Sequence, residues 1–265
     1  MIITQKQGTL EYLTAEGITA AHCFTTRHGG VSTGPQSSLS LALTRGDTME
    51  NVEKNLHILA DALGFDTEKL VMTLQIHSDI VRVVTDKDSI GLCHNIYPKC
   101  DGLVTNTPGV VLAAFTADCT PILLHDPVTG AVGAVHAGWR GTVADIAGKA
   151  VRAMAEQFGA KPENIRVAMG AGIGQCCFET DSDVPDAMRE AIGAAAEPFM
   201  ERRGEKWHID LRVINFHRLR KLGISEAQID LLPLCTACNP DLYWSHRLTG
   251  NSRGVQGAVI SLGKE

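Results

Sequence analysis

A chain of 265 residues, 44% hydrophobic and 20% charged, has the make-up of a water-soluble globular protein able to bury a sizeable core. That composition excludes collagen, a coiled coil and an intrinsically disordered chain. A net charge of −6 and a pI near 5.9 give no electrostatic attraction for phosphate backbones or anionic lipid, so neither nucleic acid nor membrane is an expected partner.

The amino-terminal MIITQKQGTLEYLTAEG puts Gln, Lys and Glu where the apolar stretch of a secretory signal would sit. No apolar run reaches the roughly eighteen residues of a membrane span. A cytoplasmic address is expected. In a reducing compartment the eight cysteines read as buried hydrophobes, metal ligands or nucleophiles rather than as a disulfide framework. No repeat, low-complexity tract or Pro/Ser linker interrupts the chain, so a single domain over residues 1–265 is expected.

In chain order, the first helix is predicted after Asp47 and Glu50, a capping-box pair, with Val52, Leu56, Leu59, Ala60 and Leu63 as its apolar stripe and Gly64 as its stop. Strand-length apolar runs follow at 80–84, 110–115, 121–125 and 131–136. A long helix is predicted from about Thr142 to Phe158, closed by Gly159 with Pro162 beyond. A strand at 165–169, weaker helices near 184–200 and 211–222, and a last strand at 255–262 complete the pattern. Strands and helices do not alternate regularly. The expected fold is therefore α+β, a mixed β-sheet core with flanking helices.

Residues 116–142, TADCTPILLHDPVTGAVGAVHAGWRGT, carry the most chemistry. Asp126, Pro127, Thr129 and Gly130 are turn formers between two apolar runs, which predicts a β-hairpin centred near Val128. Paired residue numbers in such a hairpin should sum to about 256, and Cys119 with His136 gives 255. A thiol and an imidazole side by side serve either as metal ligands or as a nucleophile with its base. His77, just before the strand at 80–84, is a candidate third ligand. Three protein ligands would leave one tetrahedral position open, the pattern of a catalytic site. A buried Cys with two hydrogen-bonded His is the plainer alternative from spacing alone.

The sequence resembles the bacterial YfiH/YlmD family of laccase-domain proteins, also called polyphenol oxidases. The resemblance runs through FTTRHGGVS at 24–32, SLSL at 38–41, Gln75 to His77, CDGLVTNTPGV at 100–110, TADCTPILLHDP at 116–127, VHAGWRGT at 135–142, GIGQCCFE at 172–179 and RGVQGAVISL at 253–262. It implies a YfiH-like fold, similar to cytotoxic necrotising factor catalytic domains, with His77, Cys119 and His136 as zinc ligands and catalytic centre. It implies phosphorolysis of adenosine, inosine and S-methyl-5′-thioadenosine, together with adenosine deamination, so purine nucleosides and phosphate are the expected partners.

Arg27, Gln75, Arg140 and Arg247 are the expected substrate-side residues, Arg27 holding phosphate and Gln75 orienting a ligand. Three places depart from the family pattern: Ser40 stands where relatives commonly show Asn, Thr44 where they show His, and SHR followed by Leu248 replaces a more usual SYRR-like stretch, which takes a neighbouring cation from Arg247. Alternative activities implied by the same resemblance are copper-dependent phenol oxidation, with Cu2+ in place of Zn2+, and removal of L-Ser from a UDP-linked cell-wall precursor. A Cys119–His136 cysteine hydrolase and a binding module without catalysis are further alternatives.

Three other signals are weak. The ten histidines never occur two apart, so the His-x-His pattern of four-copper oxidases is missing. Gly138 stands where zinc cytidine deaminases place their general-acid Glu. Cys235 and Cys238 form a lone CxxC, Cys176 and Cys177 read as packing, and Gly170, Gly172 and Gly174 read as a tight turn rather than a nucleotide loop.

Overall fold

The computed structural model describes residues 1–41, 46–89, 91 and 98–263. Thr44 lies outside them. Two six-stranded sheets form its centre. The first has the order Ile2–Gln7, Leu10–Ala15, Ala21–Thr25, Gln256–Ser261, Val111–Thr116, Leu70–Val71. The second has the order Ile229–Leu231, Arg166–Met169, Thr120–Asp126, Ala131–Ala137, Gly102–Thr105, Val81–Val83. Each contains both parallel and antiparallel pairs, so the expected α+β fold with mixed sheets is observed.

Side-chain alternation explains how these sheets stack. Leu112, Ala114, Ala258 and Ile260 of the first sheet meet Leu103, Leu123, Ala134 and Ala168 of the second in one core. Their neighbours Val111, Ala113 and Val259 point the other way, onto Leu56 and Leu59 of the helix Met49–Leu63. On the far side, Val104, Ile122, Leu124, Val135 and Val167 pack on Ala147, Ala150 and Met154 of the helix Ile146–Phe158. Helix, sheet, sheet and helix thus form four layers. Because both faces of each central strand are covered, those strands read as continuous apolar runs rather than as alternating ones.

All six predicted strands are present, within a residue or two of their expected ends. The helices need correction. Thr48, not Asp47, caps the first one, accepting from the Asn51 amide, while Asp47 Oδ1 accepts from the Thr48 amide and the Asn51 side chain. The long helix is two, Trp139–Val143 and Ile146–Phe158, because Asp145 adopts a left-handed φ of 61°. Arg152 and Arg218 hold the Asp145 carboxylate there. Only Asp183–Ile192 of the third is α-helical; Gly193–Phe199 continues as 3₁₀. The amino-terminal hairpin, the strand Gly102–Thr105 and the small sheet of Glu179–Thr180, Lys206–Ile209 and Met200–Arg203 were not expected.

His22 gives the fold an acid-sensitive element. Its Nε2 accepts from the Ala15 amide at 2.8 Å and its Nδ1 faces the Ala20 carbonyl at 2.8 Å, which fixes the neutral tautomer. Burial lowers its pKa from 6.5, and burial lowers that of His125 too. Below about pH 6.5 the unfolded chain therefore binds more protons than the folded one, and stability falls as pH falls. Thermal melts of wild type should lose midpoint temperature between about pH 7.5 and 5.5, and His22→Gln should show a shallower slope; equal slopes would refute the assignment.

Candidate metal centre and its cavity

The hairpin forms as expected, in a defined register. Thr120 pairs with Ala137 and Asp126 with Ala131, so paired numbers sum to 257. His136 faces Pro121 and continues the inward face of Ala134. Cys119, one residue before the strand, belongs two positions along the same face. An even offset keeps both side chains on one side of the sheet, which a one-residue slip would not.

His77 arrives from a separate loop. The described ligand atoms of His77, Cys119 and His136 lie within 4.8 Å of one another, and the two imidazoles meet edge to face at 4.9 Å between centroids. His136 is buried, Cys119 half-buried and His77 exposed, so the cluster is closed behind and open in front. Two imidazoles and a thiol are a donor set suited to zinc, and to copper.

Asp101, not foreseen as a site residue, organises this cluster. Its carboxylate accepts from the amides of Ile76, His77 and Ser78 at 3.2, 3.0 and 2.7 Å and from the Ser78 hydroxyl at 2.6 Å. It also takes the His136 Nδ1 at 2.8 Å. Three successive amides directed at one carboxylate hold His77 at a φ of 60°, a left-handed conformation rare outside glycine. With Nδ1 engaged, His136 offers Nε2 to the centre, the arrangement in which a carboxylate fixes a ligating imidazole. The signal for Asp101 lay in pairing: Gly102 faces Val135, so Asp101 is across from His136.

Gly138 serves by having no side chain. A Cβ there would lie 2.9 Å from His77 Cδ2 and 3.1 Å from Cys119 Sγ. A side chain at this position, such as the deaminase-like acid, is thus excluded by the packing of His77 and Cys119.

The centre opens into a cavity of about 390 Å³. Trp139, Phe178, Arg140, Arg247, Arg253 and His246 are among the residues that line it. Arg140 lies over the Trp139 ring at 4.2 Å, and Arg247 over Phe178 at 5.8 Å. Two expected substrate residues, Arg27 and Gln75, lie outside the lining of this cavity. Arg27 spends its donors on the carbonyls of Ser37 and Pro240 and stacks over Trp244. Gln75 exchanges two hydrogen bonds with the Phe115 backbone, at 2.7 and 2.8 Å, as a neighbouring strand would. Neither lines the cavity.

A family model described as multi-copper polyphenol oxidoreductase laccase matches residues 21–263. The chain belongs to this family. A purine nucleoside phosphorylase, YlmD, of Geobacillus stearothermophilus is 36% identical over 241 residues, 89% of this chain and 87% of that protein. A purine nucleoside phosphorylase of Deinococcus radiodurans is 38% identical over 257 residues, 96% and 93% of the two chains. The crystal structure of the Geobacillus YlmD superposes with a TM-score of 0.92, 33% identity and 99% coverage of both chains. The expected family and fold are therefore those of the laccase-domain proteins.

Electrostatics favour an ion pair within the cluster. Burial works against charge on both partners. The imidazoles of His136 and His77 nevertheless draw the Cys119 thiol down to about 6, and Cys119 with Asp101 lifts His136 to about 9. Burial likewise opposes ionisation of Asp101, but His136 and Ser78 hold it at about 2. By contrast, burial pushes Cys23 up to about 12. In chelator-stripped protein, peptide-resolved mass spectrometry should find Cys119 alkylated at neutral pH, with the rate falling through about pH 6, while Cys23 stays unreacted. His136→Ala should move that midpoint up toward the ordinary thiol value. An unchanged midpoint would remove the ion pair.

Proposed function

We propose that the protein is a metal-dependent purine nucleoside phosphorylase, with zinc held by His77, Cys119 and His136. The observation that carries this reading is a His–Cys–His donor set opening directly into a cavity that joins aromatic faces with several arginines. The relatives' names support the substrate class.

Phosphorolysis requires a phosphate oxygen to attack the ribose C1′ as the C1′–N9 bond breaks, with the purine leaving and gaining a proton. Phosphate carries about two negative charges near neutrality and needs cations close by. Arg140 and Arg247 are exposed on the cavity wall, each over an aromatic ring; Arg247 also donates from Nη1 and Nη2 to the Cys177 and Glu179 carbonyls, but unlike Arg27 it brings its charge to the cavity. They take the phosphate-holding role first expected of Arg27. Trp139 and Phe178 offer flat apolar faces to the purine. His246, whose Nδ1 donates to the Gly250 carbonyl at 3.0 Å, offers Nε2 to the cavity as a hydrogen-bond acceptor, and the proton gained by the departing base is balanced by the one hydrogen phosphate loses. A bound cation supplies Lewis-acid polarisation of the nucleoside. Orientation of both reactants in one enclosure supplies much of the remaining rate.

The same open centre serves adenosine deamination, in which water replaces the purine 6-amino group. Copper in the same donor set accounts for the oxidoreductase name of the family.

Incubation with inosine and phosphate should yield hypoxanthine and ribose 1-phosphate by chromatography. Cys119→Ala should reduce turnover at least about 100-fold, the scale on which a central metal contributes. Arg247→Ala should raise the KM for phosphate about tenfold, whereas Arg27→Ala should leave it unchanged. No base release from any of several purine nucleosides, or release untouched by removing the metal, would overturn the assignment.

Supporting contacts give a separate test. Asp101→Asn keeps the shape but loses the charge that orients His136, and should weaken zinc binding about 10–100-fold in competition with a chelating indicator. Unaltered affinity would show that Asp101 holds the loop and nothing more.

A further inference from the structure

A second cluster of soft ligands stands outside the cavity. The sulfur atoms of Cys176, Cys177, Cys235 and Cys238 all lie within 4.8 Å of one another. Topology brings them together. Arg166–Met169 and Ile229–Leu231 run parallel side by side, and the turns that follow them carry the two pairs. A bridge between Gly172 and Cys235, with the Thr236 amide donating to the Gly172 carbonyl at 3.1 Å, extends that pairing to the cysteines.

The geometry is that of one shared centre. Four thiolates around a zinc ion at ~2.3 Å define a tetrahedron with edges of about 3.8 Å. Cys238 Sγ lies 3.5 Å from Cys176 Sγ and 3.4 Å from Cys177 Sγ. Crosswise disulfides would instead draw each sulfur to about 2.05 Å from a single partner. Even sharing of Cys238 between two neighbours fits a common ion.

Local backbone features agree. Cys235 faces the backbone amides of Gly174 and Cys238, donors that stabilise a thiolate. A Cβ on Gly174 would lie 3.2 Å from Cys176 Sγ and 3.1 Å from Cys235 Cβ, so glycine keeps the two loops close.

We propose that Cys176, Cys177, Cys235 and Cys238 bind one zinc-class divalent cation in a closed four-sulfur site, separate from the His77–Cys119–His136 centre. Binding converts thiols to thiolates and releases their protons to solvent. All four tetrahedral corners belong to the protein, so the site is structural. What it steadies is the cavity wall. Arg247 donates to the Cys177 and Glu179 carbonyls, at 3.2 and 2.8 Å, on either side of Phe178. Thr236, inside the CxxC, donates at 2.6 Å to Asp118, the residue before Cys119. Asp118 also accepts from the Arg247 amide at 2.7 Å.

The test is elemental analysis of the full chain isolated without oxygen from zinc-supplemented cells. Wild type is expected to hold two zinc ions, Cys119→Ala one, the pair Cys177→Ser with Cys238→Ser one, and the triple variant none. If the catalytic assignment fails, Cys119→Ala will match wild type, yet the serine pair must still lose one ion. Should the serine pair fold poorly, cobalt-loaded Cys119→Ala provides the second readout. It is expected to show intense sulfur-to-cobalt charge transfer with the visible bands of a tetrahedral site. An unchanged zinc count in the folded serine pair, no such absorption, or recovery of the four cysteines as disulfides or as free thiols without an ion would overturn the proposal.

Discussion

One carboxylate sets the geometry on which the His77–Cys119–His136 cluster depends. Asp101 accepts from three consecutive amides, one hydroxyl and one imidazole. Each partner is a group that would otherwise be costly to orient. The amides at 76–78 have no strand neighbour to satisfy them, and an exposed His at a positive φ would not stay put unaided. A neutral side chain of the same size could keep the shape but would meet the donors with far less force, since hydrogen bonds to charged groups are about twice as strong. The ionised state follows from these donors. With five of them converging, the charged form is favoured despite burial.

The layered architecture delivers the other ligands with little freedom. Strand pairing sets Cys119 and His136 on one face at the mouth of the inter-sheet core, and the next strand over sets Asp101 beside His136. Covered strands cannot slip by one residue without exposing an entire apolar face, so burial of the core is also what fixes the site's register. Gly138 closes the arrangement at the point where hairpin turns into helix. A loop carries His77, short helices carry Arg140 and Arg247, and the sheets behind them supply the rigidity.

How much of this the sequence disclosed depends on whether a feature was local. The hairpin at 120–137 was legible because turn formers sit between two apolar runs. With it came the proximity of Cys119 and His136. Asp101 was missed because the strand Gly102–Thr105 is only four residues long and buried throughout, so it shows no alternation. The broken helix at Asp145 was missed for a different reason. Its left-handed turn is held by Arg152 and Arg218, the latter 73 positions away, and no window of sequence contains that contact. Arg27 and Gln75 were recognised as special, but their partners are backbone carbonyls and amides, which composition never reveals.

Arg27 and Ser40 prove to belong to one device. Ser40 is fully buried, and its carbonyl accepts from Asn55 at 2.7 Å. A Cβ at Gly254 would come within 2.8 Å of Ser40 Cβ and 2.6 Å of the Trp244 ring, so these three residues are packed to contact. Trp244 is covered in turn by the Arg27 guanidinium. The neighbour of Gly254 is Arg253, which donates to the Gly254 carbonyl at 3.0 Å and lines the cavity. An Asn in place of Ser40, the pattern common in relatives, would add bulk where no space remains unless Trp244 or Gly254 moved. Ser40 thus belongs to the packing behind Gly254, the neighbour of the cavity-lining Arg253.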